Sequence, residues 1–138
     1  MDCIFCKIVA GDIPSEKVFE DAETLAFLDI MPNNHGHTLV IPKKHHKNLL
    51  DMPEATWLDM MKTVHALAPI VKKAMGAEGI NIAMNNEAAA NQAVFHAHVH
   101  IIPRFAGDPH KPWVGTPYKD GEAKKVADKI RERLANRV

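Results

Sequence analysis

Three histidines alternate with apolar residues in one short segment of the chain, Phe95-His96-Ala97-His98-Val99-His100-Ile101-Ile102. In an extended strand successive side chains point to opposite faces, so His96, His98 and His100 share one face. Packing does not explain this row, because each neutral imidazole needs both a donor and an acceptor partner in one crowded place. The row therefore predicts a chemical role.

Two kinds of chemistry fit such a row. In the first, the imidazoles bind one catalytic metal, but same-face residues stand about 6.6 Å apart along a strand and the outer pair about 13 Å apart. Metal–nitrogen bonds of about 2.0–2.1 Å then suit two of the three histidines better than all three. In the second, one neutral imidazole attacks a phosphorus atom while its neighbours donate hydrogen bonds to the phosphate oxygens. Zero net charge, with 17 basic and 17 acidic residues, favours the second, because local donors hold the anion without a general basic field.

A pair of cysteines, Cys3 and Cys6, stands near the start of the chain. A thioredoxin-type redox pair needs a strand before the motif, and the sequence offers none there. Two inert buried thiols are a second interpretation. A third is a structural zinc ion held by two thiolates and two imidazoles. The motif alone leaves the three interpretations open.

Length and composition limit the class of protein. A chain of 138 residues, 46% hydrophobic and 25% charged, suits one globular domain with a core of its own. The charge balance argues against a protein that binds nucleic acid or anionic lipid by a basic surplus. Apolar runs fall far short of the roughly 20 residues that a membrane span needs, and the first residues lack the cationic region of a secretory signal. We therefore expect a cytoplasmic protein with no nucleic-acid or membrane partner.

The elements that must position the histidines follow from periodicity. Alternating and apolar runs predict strands, and 3,4-spaced apolar residues predict two helices. The long helix follows Asp51, a candidate cap, and ends at Gly76, with a kink expected at Pro69. Strands are predicted at residues 18–19, 25–28, 37–41, 79–85 and 95–102, and a terminal helix over residues 123–134. Short adjacent strands with one long intervening helix indicate an α+β fold, an antiparallel sheet with helices on one side.

Several ordered motifs together resemble the histidine triad (HIT) family of nucleotide hydrolases and transferases, in its prokaryotic, Hint-like branch. The likeness covers nearly the whole chain. Besides His-x-His-x-His it is carried by Cys3-Ile4-Phe5-Cys6-Lys7-Ile8, Ala26-Phe27-Leu28-Asp29, Gly36-His37-Thr38-Leu39-Val40-Ile41-Pro42-Lys43-Lys44-His45 and Ile101-Ile102-Pro103-Arg104. The resemblance implies a single HIT domain over residues 1–138, with a core at 1–110 and a Pro-rich loop and C-terminal helix at 111–138. It also implies a five-stranded sheet that homodimerisation extends.

The resemblance assigns roles to individual residues. His98 matches the nucleophile that forms a transient nucleotidyl-histidine, and His100 and His37 match the histidines that hold the α-phosphate oxygens. His96 completes the triad. Asp29 matches the acid that binds the ribose hydroxyls. Two polar residues match those on the phosphate and leaving-group side, Asn85 and Gln92, and a set of apolar residues would wall a purine pocket: Ile4, Phe5, Ile8, Phe27, Ile30 and Leu39.

A zinc site is implied by the same resemblance. Members of the branch with this cysteine pair bind zinc through both cysteines, a later histidine and the first triad histidine. The matching residues are Cys3, Cys6, His45 and His96. We expect this zinc to brace the histidine segment, while the reaction itself needs no catalytic metal.

The sequence departs from the family at two positions beside the triad. Ala93 stands where many relatives carry a Ser or Thr hydroxyl near the leaving group, and Asn91 stands where they carry glycine. Asn tolerates a positive φ better than most residues, so the turn can persist. The missing hydroxyl keeps one rival function open, a nucleotide-binding or scaffold protein with negligible turnover. A metallohydrolase in which zinc itself activates water is a second rival.

Overall fold

The computed structural model describes residues 2–137 and contains three α-helices and five strands in that range. In chain order these are α1 (Ile4–Ala10), β1 (Lys17–Glu20), β2 (Thr24–Leu28), β3 (Thr38–Pro42), α2 (Glu54–Met75), β4 (Gly79–Ala83), β5 (Val99–Arg104) and α3 (Glu122–Ala135). Two single 3₁₀ turns lie at Leu49–Asp51 and Ala88–Ala90. No helix within residues 2–137 is both long and apolar enough to cross a bilayer.

The five strands form one antiparallel sheet in the order β1-β2-β3-β5-β4. The predicted α+β fold with a five-stranded antiparallel sheet is confirmed. β5 lies between β3 and β4, so the histidine segment enters the sheet at an interior position. β1 and β4 are its two edges.

Alternate residues of the strands belong to two separate clusters of buried side chains, one on each face of the sheet. One cluster, which includes Val40, Val99 and Ile101, packs against Met60, Val64 and Leu67 of α2. The other, which includes Phe27, Leu39 and Ile41, packs against Phe5 and Ile8 of α1. Because successive strand residues face opposite sides, α1 and α2 cover opposite faces of the sheet. The expectation of helices on one side only was wrong, since the sequence reading overlooked α1.

α1 begins and ends with local capping. Cys3 is its N-cap residue and its Sγ accepts a hydrogen bond from the backbone N–H of Cys6, while Gly11 ends the helix at φ +84°. A left-handed residue at this position suits glycine. The spacing of Phe5 and Ile8 is the helical signal that could have revealed the element.

α2 agrees with its predicted extent but not with its predicted cap. The helix is continuous through Pro69 and ends at Gly76, whose φ is +63°. Its N-cap is Pro53. Asp51 instead caps the preceding 3₁₀ turn, where its carboxylate accepts the N–H groups of Lys47 and Asn48.

β5 starts at Val99 rather than at residue 95, so the predicted strand was four residues too long at its beginning. Regular pairing with β3 stops at Val40 opposite Val99. Pro42 has no N–H to continue the ladder, and the N–H of Ala97 donates to the carbonyl of His46 at 2.8 Å. His96 and His98 therefore lie in extended chain just ahead of β5, and only His100 is a strand residue.

The chain divides into two compact units, the first ending at Asp108 and the second beginning at Pro109. All five strands, α1 and α2 belong to the first. The second consists of a Pro-rich segment and α3, an amphipathic helix with Ala123, Val126, Ile130 and Leu134 at helical spacing. The assignment of residues 1–138 to a single domain remains a prediction.

Candidate functional site

His98 is held so that one ring nitrogen is available. Its Nδ1 lies 2.7 Å from the backbone carbonyl of His96, which can only accept a hydrogen bond. The proton therefore resides on Nδ1, and Nε2 keeps its lone pair. The ring is 8% exposed and packs edge-on against Phe5, with 5.2 Å between centroids. The segment ahead of β5 thus presents His98 as a neutral imidazole with Nε2 as the nucleophilic atom.

The tautomers of His37 and His100 follow from one backbone group. The N–H of Asn33 donates to Nδ1 of His37 at 3.0 Å, so the proton of His37 is on Nε2. That Nε2 lies 2.8 Å from Nδ1 of His100. Nδ1 of His100 must accept this hydrogen bond, so His100 carries its own proton on Nε2. His100 therefore has one N–H that it can donate outward.

Burial keeps these imidazoles neutral. Desolvation lowers the pKa of His98, and it lowers the pKa of His37 against a smaller opposing effect of Asp29. The pKa of His100 falls to about 4, first because of burial and then because of His98 and His37 nearby. The three rings form a connected group: His98 and His100 have centroids 5.1 Å apart, as do His37 and His100.

Asp29 follows β2 and closes the same group from the other side. One carboxylate oxygen accepts the backbone N–H of Met31 at 2.8 Å, and the other lies 3.7 Å from Nε2 of His37. Asp29, His37 and His100 offer ligand atoms close enough together for a metal. The tautomers argue for a different use, because Nε2 of His37 already carries a proton and a metal ligand must be unprotonated.

A second cluster brings four soft ligand atoms together. Cys3, Cys6, His45 and His96 come from the cap of α1, its first turn, the chain after β3 and the segment before β5. Nδ1 of His96 lies 3.4 Å from Sγ of Cys3, 3.5 Å from Sγ of Cys6 and 3.2 Å from Nδ1 of His45. Sγ of Cys6 is 3.4 Å from Nδ1 of His45.

These distances match the edges of a zinc tetrahedron. Bonds of about 2.3 Å to sulfur and about 2.0–2.1 Å to nitrogen imply about 3.6 Å between S and N and about 3.3 Å between two N atoms. His96 is also prepared for the role, because its Nε2 lies 2.8 Å from the carbonyl of Pro42 and must carry the proton. Nδ1 then faces the other three ligand atoms with its lone pair, so the donor set fits zinc.

The loop between β4 and the histidine segment is tied down by Gln92. Its side-chain oxygen accepts from the backbone N–H of Glu87 at 2.8 Å and from the Asn48 amide at 3.0 Å. Its amide nitrogen donates to the carbonyls of Lys47 at 2.7 Å and Val94 at 3.0 Å. Two donors and two acceptor positions are the full capacity of a glutamine side chain.

Comparison with known proteins identifies the family. Residues 10–107 match the HIT domain family. The chain belongs to the HIT family.

Three HIT relatives bear on the site. A crystal structure of a Streptococcus mutans protein is 46% identical with a TM-score of 0.92, over 96% of this chain and 85% of that one. Adenosine 5′-monophosphoramidase of Schizosaccharomyces pombe is 39% identical over 97% of this chain and 99% of its own. The crystal structure of a zinc-bound histidine triad family protein of Mycobacterium smegmatis is 36% identical with a TM-score of 0.77, over 99% of this chain and 99% of that one.

The fold brings together some of the residues assigned from the HIT resemblance and leaves others exposed or bound within the protein. The rings of His37, His98 and His100 are brought together, as are the side chains of the four expected metal ligands. The expected pocket residues divide, because Phe5, Ile8, Phe27 and Leu39 are buried, whereas Ile4 is 47% and Ile30 88% exposed. Asn85 is partly exposed and its amide makes a long contact, 3.4 Å, with the carbonyl of Asn91. Gln92 is buried with its hydrogen-bonding capacity used inside the protein, which makes it a support of the loop.

Sequence reasoning missed the residues that support the HIT histidines from outside the motif. Asn33 fixes the His37 tautomer through its backbone N–H, which no side-chain pattern reveals. Asn48 joins Gln92 to the turn before α2, and its spacing to Asp51 is that of a capping box. That spacing was the available signal.

Proposed function

We propose that this HIT protein hydrolyses purine nucleotides at the α-phosphorus through a covalent intermediate on His98. The observation that carries the proposal is the 2.7 Å contact between Nδ1 of His98 and the carbonyl of His96, from which we infer a proton on Nδ1 and an available lone pair on Nε2. Membership of the HIT family and the likeness to a monophosphoramidase support nucleotide hydrolysis in general.

The first step is an attack of His98 Nε2 on the α-phosphorus. A nitrogen–phosphorus bond forms, and the bond from phosphorus to the leaving group breaks, the leaving group taking the electron pair and a proton from solvent. The imidazole becomes positively charged, and the hydrogen bond from Nδ1–H to the His96 carbonyl stabilises that charge. In the second step water attacks phosphorus and releases a proton to solvent as the nitrogen–phosphorus bond breaks. The electron pair of that bond returns to Nε2 of His98, and the mononucleotide leaves.

His100 contributes a hydrogen-bond donor to the transferring group. With its Nδ1 occupied by His37, its Nε2–H is directed to a phosphate oxygen, where preorganised donors stabilise the charge of the transition state. His37 acts through His100. Asp29 binds the ribose hydroxyls, and the apolar side chains around Phe5 and Phe27 contact the purine. Amine, acyl, sulfate and nucleotide leaving groups are all compatible with this chemistry.

A structural zinc ion supports this arrangement without entering the reaction. Cys3, Cys6, His45 and His96 would hold it, which would tie α1 to the chain after β3 and to the segment before β5. The zinc-bound mycobacterial relative supports this assignment. As a ligand His96 would be held in place, and because its backbone carbonyl accepts the Nδ1–H of His98, the position of the nucleophile would be held with it.

Two copies of the chain associate through α2 and β4. β4 is an edge strand, and its Ile82 is 44% exposed. A groove of about 520 Å³ between α2 and β4 is lined mainly by apolar side chains, among them Met61, Val64 and Ile80. Edge pairing of β4 with its own copy extends the sheet and covers the groove.

The test is turnover of a fluorogenic adenosine phosphoramidate by the parent and by His98→Ala. We expect a loss of at least about 10³-fold in kcat for His98→Ala and no comparable loss for His110→Ala, the same change at a histidine that belongs to neither side-chain cluster. Denaturing mass spectrometry of the quenched parent should also detect a nucleotidyl adduct on His98. Equal rates for parent and His98→Ala would leave a nucleotide-binding protein. Rapid, reversible loss of activity with chelator, the fold intact, would favour a metallohydrolase.

A further inference from the structure

Asp108 forms a dense hydrogen-bonding junction just beyond β5. Its carboxylate is bound in a two-point fork by Arg104, with 2.9 Å from Nε to Oδ2 and 2.7 Å from the terminal nitrogen to Oδ1. It also accepts the backbone N–H of Phe105 at 3.0 Å and the Asn34 amide at 3.1 Å. The Asp108 side chain is only 8% exposed. A bidentate, largely buried pair of this kind is geometrically well defined.

Asn34 connects this junction to the loop between β2 and β3. Its amide nitrogen donates to the Pro103 carbonyl at 2.8 Å as well as to Asp108. The backbone carbonyl of Asn34 accepts a hydrogen bond from the backbone N–H of His37 at 3.1 Å. The adjacent Asn33 N–H is the group that donates to Nδ1 of His37. The junction therefore anchors the turn that fixes the His37 tautomer.

Close packing at Gly36 also fixes the position of the turn that contains Asn33 and Asn34. Gly36 has a φ of +92°, and a Cβ placed there would lie 2.5 Å from the side chain of Met75 and 3.2 Å from that of Pro103. Only glycine fits this backbone conformation and this space. The turn is thus positioned from two directions, by packing on α2 and by hydrogen bonds to the end of β5.

The consequence for the site follows from proton positions. If Asn33 N–H did not reach His37, that ring could carry its proton on Nδ1, and Nε2 would face Nδ1 of His100 as a second acceptor. His100 would then have to move its proton to Nδ1 to restore a hydrogen bond. Its Nε2 would become an acceptor, unable to donate to a phosphate oxygen.

We propose that Arg104, Asp108 and Asn34 are positioning residues that set the tautomers of His37 and His100, so that His100 Nε2 carries a proton. These residues lie at the end of β5 and in the loop before β3, and none of them touches the reacting atoms. The kinetic consequence rests on the proposed function, but the proton positions do not.

The direct experiment is ¹⁵N–¹H correlation spectroscopy of the histidine rings at neutral pH in the parent, Asn34→Ala and Asp108→Asn. In the parent we expect His37 and His100 both protonated on Nε2. In Asn34→Ala we expect a mixture, with Nδ1-protonated forms of both rings. Asp108→Asn keeps the shape of the side chain but weakens the fork with Arg104, so a smaller change in the same direction is expected. Asp128→Asn is the matched control, because Asp128 pairs with Arg131 and Lys124 on α3.

Kinetics gives the second measurement. We expect kcat of Asn34→Ala to fall about 10- to 100-fold with little change in KM, since the lost interaction is made mainly in the transition state. Parent-like tautomers in both variants would overturn the inference, even if the variants melt at a lower temperature. Should the parent itself lack His98-dependent turnover, the proposed function fails while the spectra still decide the tautomers.

Discussion

At the scale of single residues, the site depends on where each imidazole carries its proton. Backbone groups decide this: the carbonyl of His96 for His98, the N–H of Asn33 for His37, and the carbonyl of Pro42 for His96. From the sequence we could predict that three histidines form the triad and that they share one face, because they alternate with apolar residues. It could not predict the tautomers, since the deciding groups belong to main chain brought together by folding.

The low pKa of His100 has a measurable effect on stability. Its ring faces His98 on its own segment, His37 ahead of β3 and Asp29 after β2, and its pKa in the folded protein is about 4. Above about pH 6.5 the ring is neutral in both folded and unfolded chains and contributes no pH dependence. Between about 6.5 and 4 only the unfolded chain binds the proton, so the free energy of unfolding falls as the pH falls. Below 4 both states are protonated and the loss stays constant.

We therefore expect His100→Asn to lose less stability than the parent between pH 6.5 and 4. Urea unfolding at a series of pH values, followed by circular dichroism, measures the difference. Both proteins keep the four proposed zinc ligands, so metal loss would affect them alike. Identical slopes for the two proteins would mean that His100 is not desolvated in the folded state.

At the scale of elements, predictions of helices and strands were wrong where packing or a neighbouring segment outweighed a local sequence pattern. The alternating pattern before Val99 is typical of a strand. Pro42 of β3 has no N–H to continue the ladder with this segment, so the segment lies outside β5 and His96 lies beside the cysteines. α1 was missed because cysteine is an unusual cap. The backbone strain of the loop from β4 to the triad was not visible in the sequence.

Glu87 in that loop has φ +78° and ψ +157°, a conformation almost confined to glycine. Its N–H donates to Gln92, and its carboxylate pairs with Lys47 at 2.7 Å. Glu87→Gly should raise the free energy of unfolding by about 1 kcal/mol or more, because relief of strain of about 1–3 kcal/mol exceeds the loss of an exposed ion pair. Glu87→Gln is the control that removes the charge and keeps the strain. Calorimetric melting that ranks Glu87→Gly at or below Glu87→Gln would show that the loop stores no such strain.

The proposed zinc site joins α1 to the chain after β3 and to the segment before β5, so loss of the metal should weaken the fold. We expect about one zinc ion per chain in the parent and much less in His45→Asn, which removes a proposed ligand. His46→Asn changes the adjacent histidine, which is not a proposed ligand, and should keep about one zinc ion per chain. His45→Asn should lower the free energy of unfolding by several kcal/mol, because the cross-link between α1 and the triad segment is lost. Atomic emission on purified protein and thermal melting supply the two values. Unchanged zinc content in His45→Asn would remove this histidine from the ligand set.

At the scale of the whole molecule, the fold and family followed from the sequence because many motifs agree in order and spacing. The assembly does not follow in the same way, since an interface depends on which surfaces remain uncovered. β1 and β4 are both edges of the sheet, yet they differ. β1 is a short strand with a register shift in its pairing to β2, whereas β4 pairs regularly with β5 and adjoins the groove beside α2. An irregular edge discourages pairing with another chain, and a regular one permits it.

Two aspartate substitutions of similar exposure separate these edges. Ile82 of β4 is 44% exposed and Val18 of β1 is 48% exposed. In the proposed dimer Ile82→Asp places a charge in the interface, where burying it unpaired costs several kcal/mol, so we expect a monomer. Val18→Asp should leave the dimer intact, because β1 stays in solvent. Sedimentation equilibrium at micromolar concentrations distinguishes one chain mass from two. A parent that sediments as a monomer, or a dimer lost in Val18→Asp but kept in Ile82→Asp, would place the association surface elsewhere.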